Sequence, residues 1–72
     1  MNEEITVRGE FITLGQALKE AAVISSGGEA KPFLAEVPVL VNEEAEDRRG
    51  RKLYPGDHVV IEGIGELTII GE

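Results

Sequence analysis

Residues 48–57, RRGRKLYPGD, join a cluster of positive charge to a strong turn signal. Four of the chain's seven basic residues lie within 48–52. Pro55 and Gly56 then occupy the two central positions of a type II turn, where glycine supplies a positive φ. An apolar strand at 58–62 follows this turn. Because the rest of the chain is acidic, the basic cluster is either a solvated loop or an anion-binding site.

The length and composition predict one small globular domain. A chain of 72 residues, 42% of them apolar, forms a single domain with a thin hydrophobic core, here taken as 1–72. It contains no cysteine, so neither a disulfide nor a thiolate metal site can form. The first four residues are acidic where a signal peptide is basic, and no apolar run approaches the roughly 20 residues that span a bilayer. We therefore expect a soluble cytoplasmic protein with no membrane partner.

The net charge of −7 argues against bulk nucleic-acid binding, because the long-range field of the chain repels phosphate. At physiological salt, however, the Debye length is about 8 Å, so distant carboxylates are largely screened from a local basic cluster. The acidic run at 43–47 lies next to the basic run and could pair with its arginines.

The first half of the chain predicts a strand and a helix. Residues 4–8 alternate in polarity and are rich in strand-forming residues. Thr13 and Gln16 have the spacing of a capping box, which predicts that a helix at about 14–22 begins there. Its apolar stripe comprises Leu14, Ala17, Leu18 and Ala21. Gly15 weakens such a helix by about 1 kcal/mol, so either packing compensates or a close neighbour requires the missing side chain.

A second helix is predicted at about 27–36. Ser26 and Glu29 repeat the capping-box spacing. The apolar stripe of this helix comprises Ala30, Phe33, Leu34 and Val37. Pro32 lies near the helix start and faces away from the stripe, where water can solvate the carbonyl that it leaves unpaired. Pro38 ends the helix.

Strands are predicted at 39–41, 58–62 and 66–70, with a tight turn at 42–43 and a polar segment at 43–52. The order strand, helix, helix and three strands predicts a small α+β domain. In this fold a pair of helices packs on an antiparallel sheet of three to four strands.

The motifs at 13–16, 23–31, 39–43 and 48–57, taken in order, resemble the S-four-type RNA-binding domain, named after a ribosomal protein. The chain is most similar to the stand-alone YaaA-like group of short bacterial proteins, and the resemblance is strongest over 10–62. It implies the alpha-L motif, in which two helices and a small twisted sheet bind structured RNA across the helical pair and its adjoining loops.

Two positions depart from the family pattern. Glu43 and Glu44 stand where the family usually has a glycine after Asn42, at the predicted tight turn. Pro32 directly follows the lysine of the second helix.

The start of the second helix is a candidate anion site formed by Ser25, Ser26, Gly27, Gly28 and Lys31. Its unpaired N–H groups carry the positive end of the helix dipole, glycine allows phosphate to approach the backbone, and lysine adds a point charge. In isolation such a segment is more often a simple loop beside a solvated lysine. The matching family context favours the anion site.

Arg48, Arg49, Arg51 and Lys52 form a candidate phosphate clamp. Arginine favours bidentate contact with phosphate. The alternative is a solvated charge run paired with the carboxylates of 43–47. We predict that the fold brings this clamp and the start of the second helix onto one face. With only three aromatic residues in the chain, recognition of RNA shape and backbone is expected to exceed stacking on bases.

Catalysis and cofactor binding are not predicted. His58 is the only histidine and is interpreted as a half-exposed strand residue. Neither a metal cluster nor a nucleophile–base pair is evident. Two functions remain: a non-catalytic module for structured RNA such as ribosomal RNA, or an adaptor whose acidic surface docks on a basic protein while the arginine loop is structural.

Overall fold

The computed structural model describes all residues from Met1 to Glu72. Two short helices lie on one side of a five-stranded sheet, and a separate two-stranded sheet joins the start of the first helix to the arginine loop. The predicted α+β class is confirmed. The strands are β1 Asn2–Val7, β2 Ile12–Thr13, β3 Val39–Val41, β4 Glu44–Ala45, β5 Lys52–Leu53, β6 His58–Ile61 and β7 Gly65–Gly71. No helix has both the length and the apolar character needed to cross a membrane.

The main sheet is mixed, with the strand order β1-β7-β6-β3-β4. β1 pairs parallel to β7, with Ile5 opposite Ile69, whereas all other neighbours are antiparallel. The main sheet thus differs from the predicted antiparallel sheet of three to four strands by having a fifth strand and one parallel pair. Strand periodicity identifies strands but carries no information about which edge of the sheet β1 joins.

The hydrophobic core lies between the sheet and the helices. Alternate residues of the four long or central strands point inward, as a period of two requires. These buried strand residues are Ile5, Val7, Val39, Val41, Val59, Ile61, Leu67 and Ile69. The predicted stripe of the first helix is buried against them, and Ala30 and Leu34 contribute from the second helix, with Phe33 and Val37 half-buried.

Helix α1 spans Leu14–Glu20 and begins with the predicted capping box. The Gln16 N–H donates to the Thr13 hydroxyl, and the Thr13 N–H donates to the Gln16 side chain. The helix ends earlier than predicted because Ala22 adopts a left-handed conformation with φ of 60°. The Val23 N–H then donates to the Leu18 carbonyl, which closes the end of the helix in a Schellman arrangement.

Helix α2 spans Ala30–Glu36 and is preceded by a single 3₁₀ turn at Gly27–Glu29. The predicted capping box at Ser26 was wrong, because its hydroxyl donates to the Glu29 carboxylate and does not cap the backbone. Pro32 lies in the first turn of the α-helix, where a missing N–H costs little.

The β3–β4 hairpin turns through Asn42 and Glu43, whose φ angles are 50° and 71°. Positive φ at both central residues defines a type I′ turn. The Asn42 side chain donates to Asp57 Oδ1 and accepts from the His58 N–H, both at 3.0 Å. Asn42 thereby ties this hairpin to the Pro55–Gly56 turn, in which Gly56 has the predicted positive φ, at 99°.

Replacing Glu43 with glycine is expected to stabilise the domain by about 0.5–1 kcal/mol, because glycine removes the strain of a left-handed side-chain-bearing residue. Thermal unfolding should show a midpoint higher by roughly 2–8 °C. The matched control is Glu44→Gly in strand β4, where φ is not positive, and it should destabilise. A Glu43→Gly midpoint equal to or below that of the parent protein would refute the strained turn.

Candidate nucleic-acid interface

The arginine loop, residues 48–52, is hydrogen-bonded to the first turn of α1. The Leu14 N–H donates to the Arg51 carbonyl at 2.8 Å, and the Gly15 N–H donates to the Arg49 carbonyl at 2.9 Å. The first N–H groups of a helix have no partner within the helix, and here the loop supplies two of the acceptors. The loop is therefore fixed to α1 through its backbone.

Gly15 is the point at which α1, α2 and the arginine loop meet. A Cβ atom at Gly15 would lie 3.4 Å from the Ala30 Cβ and 3.5 Å from the Arg49 Cβ. Close neighbours are therefore present at Gly15, at the short end of ordinary van der Waals contact for a Cβ atom. We call this contact of Gly15, Ala30 and Arg49 the Gly15 junction. It places the start of α2 next to the arginine loop, although about 20 residues of sequence separate them.

The buried carboxylate of Glu46 binds two arginines of the arginine loop. Its side chain is only 5% exposed. Arg48 donates to it three times, from the backbone N–H at 3.1 Å, from Nε at 2.9 Å and from Nη2 at 3.1 Å, and Arg51 donates from Nη1 at 2.8 Å. A single carboxylate thus fixes two of the four predicted cations.

These contacts change the pKa of Glu46. Its hydrogen bonds from the Arg48 side chain lower the pKa to about 2 from an ordinary value of 4.5; burial opposes the change, and Arg51 adds to it. The same contact raises the pKa of the Arg48 guanidinium. Glu46 therefore remains an anion at all physiological pH values.

The other two cations of the loop form no salt bridge. Arg49 and Lys52 are exposed and have no carboxylate within salt-bridge distance, and the same holds for Lys31 on α2. Pairing of the basic run with the acidic run at 43–47, the alternative to a phosphate clamp, is thus restricted to Glu46. Arg48 remains 72% exposed despite its pairing, whereas Arg51 is 29% exposed.

The loop before α2 is already bonded to a carboxylate of its own chain. Glu29 accepts from the Ser25 N–H at 3.2 Å and from the Ser26 hydroxyl at 3.3 Å. Packing does not require glycine at positions 27 and 28. A Cβ at Gly27 would meet nothing within 4 Å, and one at Gly28 would meet only the Ser26 hydroxyl at 3.9 Å. Their outer sides are open to solvent.

An exposed aromatic pair lies beside the arginine loop, and the sequence interpretation gave it no functional role. The rings of Phe11 and Tyr54 have centroids 6.0 Å apart, and the Lys52 Nζ lies 5.0 Å from the Phe11 centroid. The only sequence feature that could have predicted this pair is the presence of two short segments, Phe11–Thr13 and Lys52–Tyr54, each with an apolar residue at its centre. Segments of this length have too little periodicity to predict a paired sheet.

The outer face of the main sheet, away from the helices, carries exposed carboxylates. Glu4 and Glu66 lie there on β1 and β7. His58 is half-exposed on β6, as predicted, with Nε2 2.7 Å from Glu66 Oε1. These carboxylates therefore lie on the side of the sheet opposite to the helices.

The two-helix unit and its adjoining basic loop belong to a known domain class. A family model described as the S4 domain matches residues 5–70, and the chain belongs to this family. The S-four-type resemblance is thereby confirmed. The chain is also 57% identical over 70 residues to "Probable ribosome maturation protein RlbA" of Bacillus subtilis (strain 168), an alignment that covers 97% of this chain and 99% of that protein.

Proposed function

We propose that this protein is a non-catalytic RNA-binding module that binds structured RNA, with ribosomal RNA in the cytoplasm as its target. Membership of the S4 domain family supports RNA binding, and the name of the Bacillus subtilis relative supports a role connected with the ribosome. Recognition is expected to depend mainly on RNA shape and backbone, because the chain has only three aromatic residues on which bases could stack.

The observation that carries this proposal is the Gly15 junction. It brings Lys31 on α2 and Arg49 and Lys52 in the loop into neighbouring segments, and none of these three cations has a carboxylate partner. These three side chains can therefore bind phosphate without breaking a salt bridge within the protein. Arg48 adds guanidinium donors at the exposed side of its pair with Glu46.

Within this surface the residues divide into two kinds. Arg49, Lys52 and Lys31 make the phosphate contacts, together with the backbone N–H groups of the exposed residues Gly27 and Gly28. Arg51 and Glu46 act mainly by holding the loop in its bound shape. Ser25 and Ser26 contribute by orienting the segment through Glu29.

The salt dependence of RNA binding tests the proposal. If three or four phosphates are neutralised, the logarithm of the affinity for purified ribosomal RNA should fall against the logarithm of salt concentration with a slope of roughly −2 to −4. Fluorescence anisotropy of labelled RNA over a salt series measures this slope. An affinity that stays constant between low and physiological salt would contradict the proposal.

A second candidate function follows from the acidic outer face of the sheet. A shallow depression of about 310 Å³ there has no apolar lining residue and includes Glu3, Glu4 and Glu66. A basic ribosomal protein would complement this face. The two candidates use different surfaces, so the location of the bound partner separates them.

A further inference from the structure

The small sheet formed by β2 and β5 has two chemically different faces. Ile12 pairs with Leu53, and both point toward the core, where Leu53 is fully buried. Because side chains alternate along a strand, the flanking residues Phe11, Lys52 and Tyr54 point outward. Phe11 is 39% and Tyr54 46% exposed, so the outer face presents two aromatic rings to solvent.

This aromatic pair separates two depressions that contain positive charge. One, of about 540 Å³, is lined by Arg48, Gly50, Arg51, Lys52 and Tyr54. The other, of about 500 Å³, has Phe11 as a wall and contains Arg8, Lys19 and Gln16 together with one carboxylate, Glu20.

The cations in the second depression are available to a ligand. Lys19 forms no salt bridge. Arg8 lies 3.7 Å from Glu72, but the two side chains are 85% and 71% exposed, and such a pair contributes little and is readily displaced.

We infer that Phe11, Tyr54 and Lys52 form a stacking site for an unpaired nucleobase, with the phosphates on either side of that base lying in the two depressions. The inference rests on the proposed RNA-binding function and specifies its ligand as folded RNA that contains an unpaired nucleotide. Aromatic rings stack on bases of any sequence, and flanking cations bind the backbone. The exposed rings together with positive charge on both sides match a nucleotide, which is both aromatic and anionic.

The expected size of the effect is that of one stacked base. Stacking contributes about 1–3 kcal/mol per base, which corresponds to a preference of roughly 5- to 150-fold for an RNA with an unpaired base. A perfectly paired duplex hides its base faces and can use only the phosphate contacts.

The test compares a paired RNA duplex with the same duplex carrying a short unpaired adenosine bulge, using the parent protein and the variant Phe11→Leu/Tyr54→Leu. The parent should prefer the bulged RNA, and the variant should lose this preference while retaining the duplex affinity and its salt slope. The matched control is Phe33→Leu, which alters the remaining aromatic residue, half-buried on α2, and should keep the preference.

Tyrosine emission gives a second readout that needs no variant. Tyr54 is the only tyrosine and the chain has no tryptophan, so bulged RNA should quench its fluorescence more than paired duplex does. The stacking site would be overturned if the parent and Phe11→Leu/Tyr54→Leu preferred the bulged RNA equally. It would also be overturned if the two RNAs bound the parent equally and quenched its tyrosine emission equally. Absence of salt-dependent binding to either RNA would instead overturn the proposed function itself.

Discussion

Replacing Glu46 with glutamine is expected to lower the free energy of unfolding by about 2 kcal/mol, and the thermal midpoint by roughly 8–16 °C. The amide cannot accept the charge-assisted hydrogen bonds of Arg48 and Arg51 with the same strength, and its NH₂ group opposes their donors. The effect stays below that of a fully buried ion pair because Arg48 is largely exposed.

The loss should depend on pH in a defined direction. The pKa of Glu46 is about 2 in the folded protein and 4.5 ordinarily, so its stabilising contribution is complete above about pH 4.5 and is lost as pH falls toward 2. The difference between parent and Glu46→Gln should therefore shrink over this window, because Glu46 becomes protonated. The other carboxylates titrate in both proteins, so their effects cancel in the difference.

Chemical denaturation of both proteins over a pH series measures this difference. The matched control is Glu44→Gln, since Glu44 is exposed and forms no salt bridge, and it should change stability by less than about 0.5 kcal/mol. A difference between parent and Glu46→Gln that is equally large at pH 2 and pH 6 would mean that the carboxylate charge is not what stabilises the loop.

Reversing the charge of Arg49 and Lys31 together is expected to weaken RNA binding by roughly 30-fold or more while leaving the fold intact. Each contact between a cation and a phosphate contributes on the order of 1–2 kcal/mol, and the substituted carboxylates repel the RNA backbone. The magnitude of the salt slope should also fall by about 2, or about 1 for each lost phosphate contact.

Arg49 and Lys31 make a cleaner test than Arg51, whose pairing with Glu46 maintains the loop. Thermal unfolding of Arg49→Glu/Lys31→Glu should match the parent, because both side chains are exposed and lack salt-bridge partners. The control that preserves charge at each site, Arg49→Lys/Lys31→Arg, should bind within a few-fold of the parent. RNA affinity that survives the double reversal would exclude this surface.

A related variant, Gly27→Ala/Gly28→Ala, tests the helix start without any change of charge. Neither added methyl group meets a close neighbour, so the domain should remain equally or slightly more stable. If phosphate approaches the backbone here, RNA affinity should nevertheless fall. Unchanged affinity would restrict the RNA contacts to the side chains.

The sequence predicted those features that depend on local patterns. The capping box at Thr13, the two helical stripes and the Pro55–Gly56 turn appear in the structure because spacing and backbone chemistry determine them. The parallel position of β1 was not predictable, because it depends on tertiary packing.

In the candidate site, too, local features were predictable from the sequence and tertiary contacts were not. The basic residues were identifiable from composition, and their difference in role was not. Glu46 lies in a run of four carboxylates, and nothing in that run marks it as the buried one that binds Arg48 and Arg51. The proximity of Phe11 to Tyr54 arises only when β2 pairs with β5.

The most direct measurement of the central claim is a map of backbone amide signals during titration of the nitrogen-15-labelled protein with a folded RNA. A single surface centred on the Gly15 junction predicts that signals from 14–15, 26–31 and 48–52 shift or broaden together at the lowest RNA concentrations. Signals from the outer face of β1, β6 and β7 should remain unperturbed. Changes confined to that acidic face, or restricted to only one of the two segments joined at Gly15, would contradict the claim.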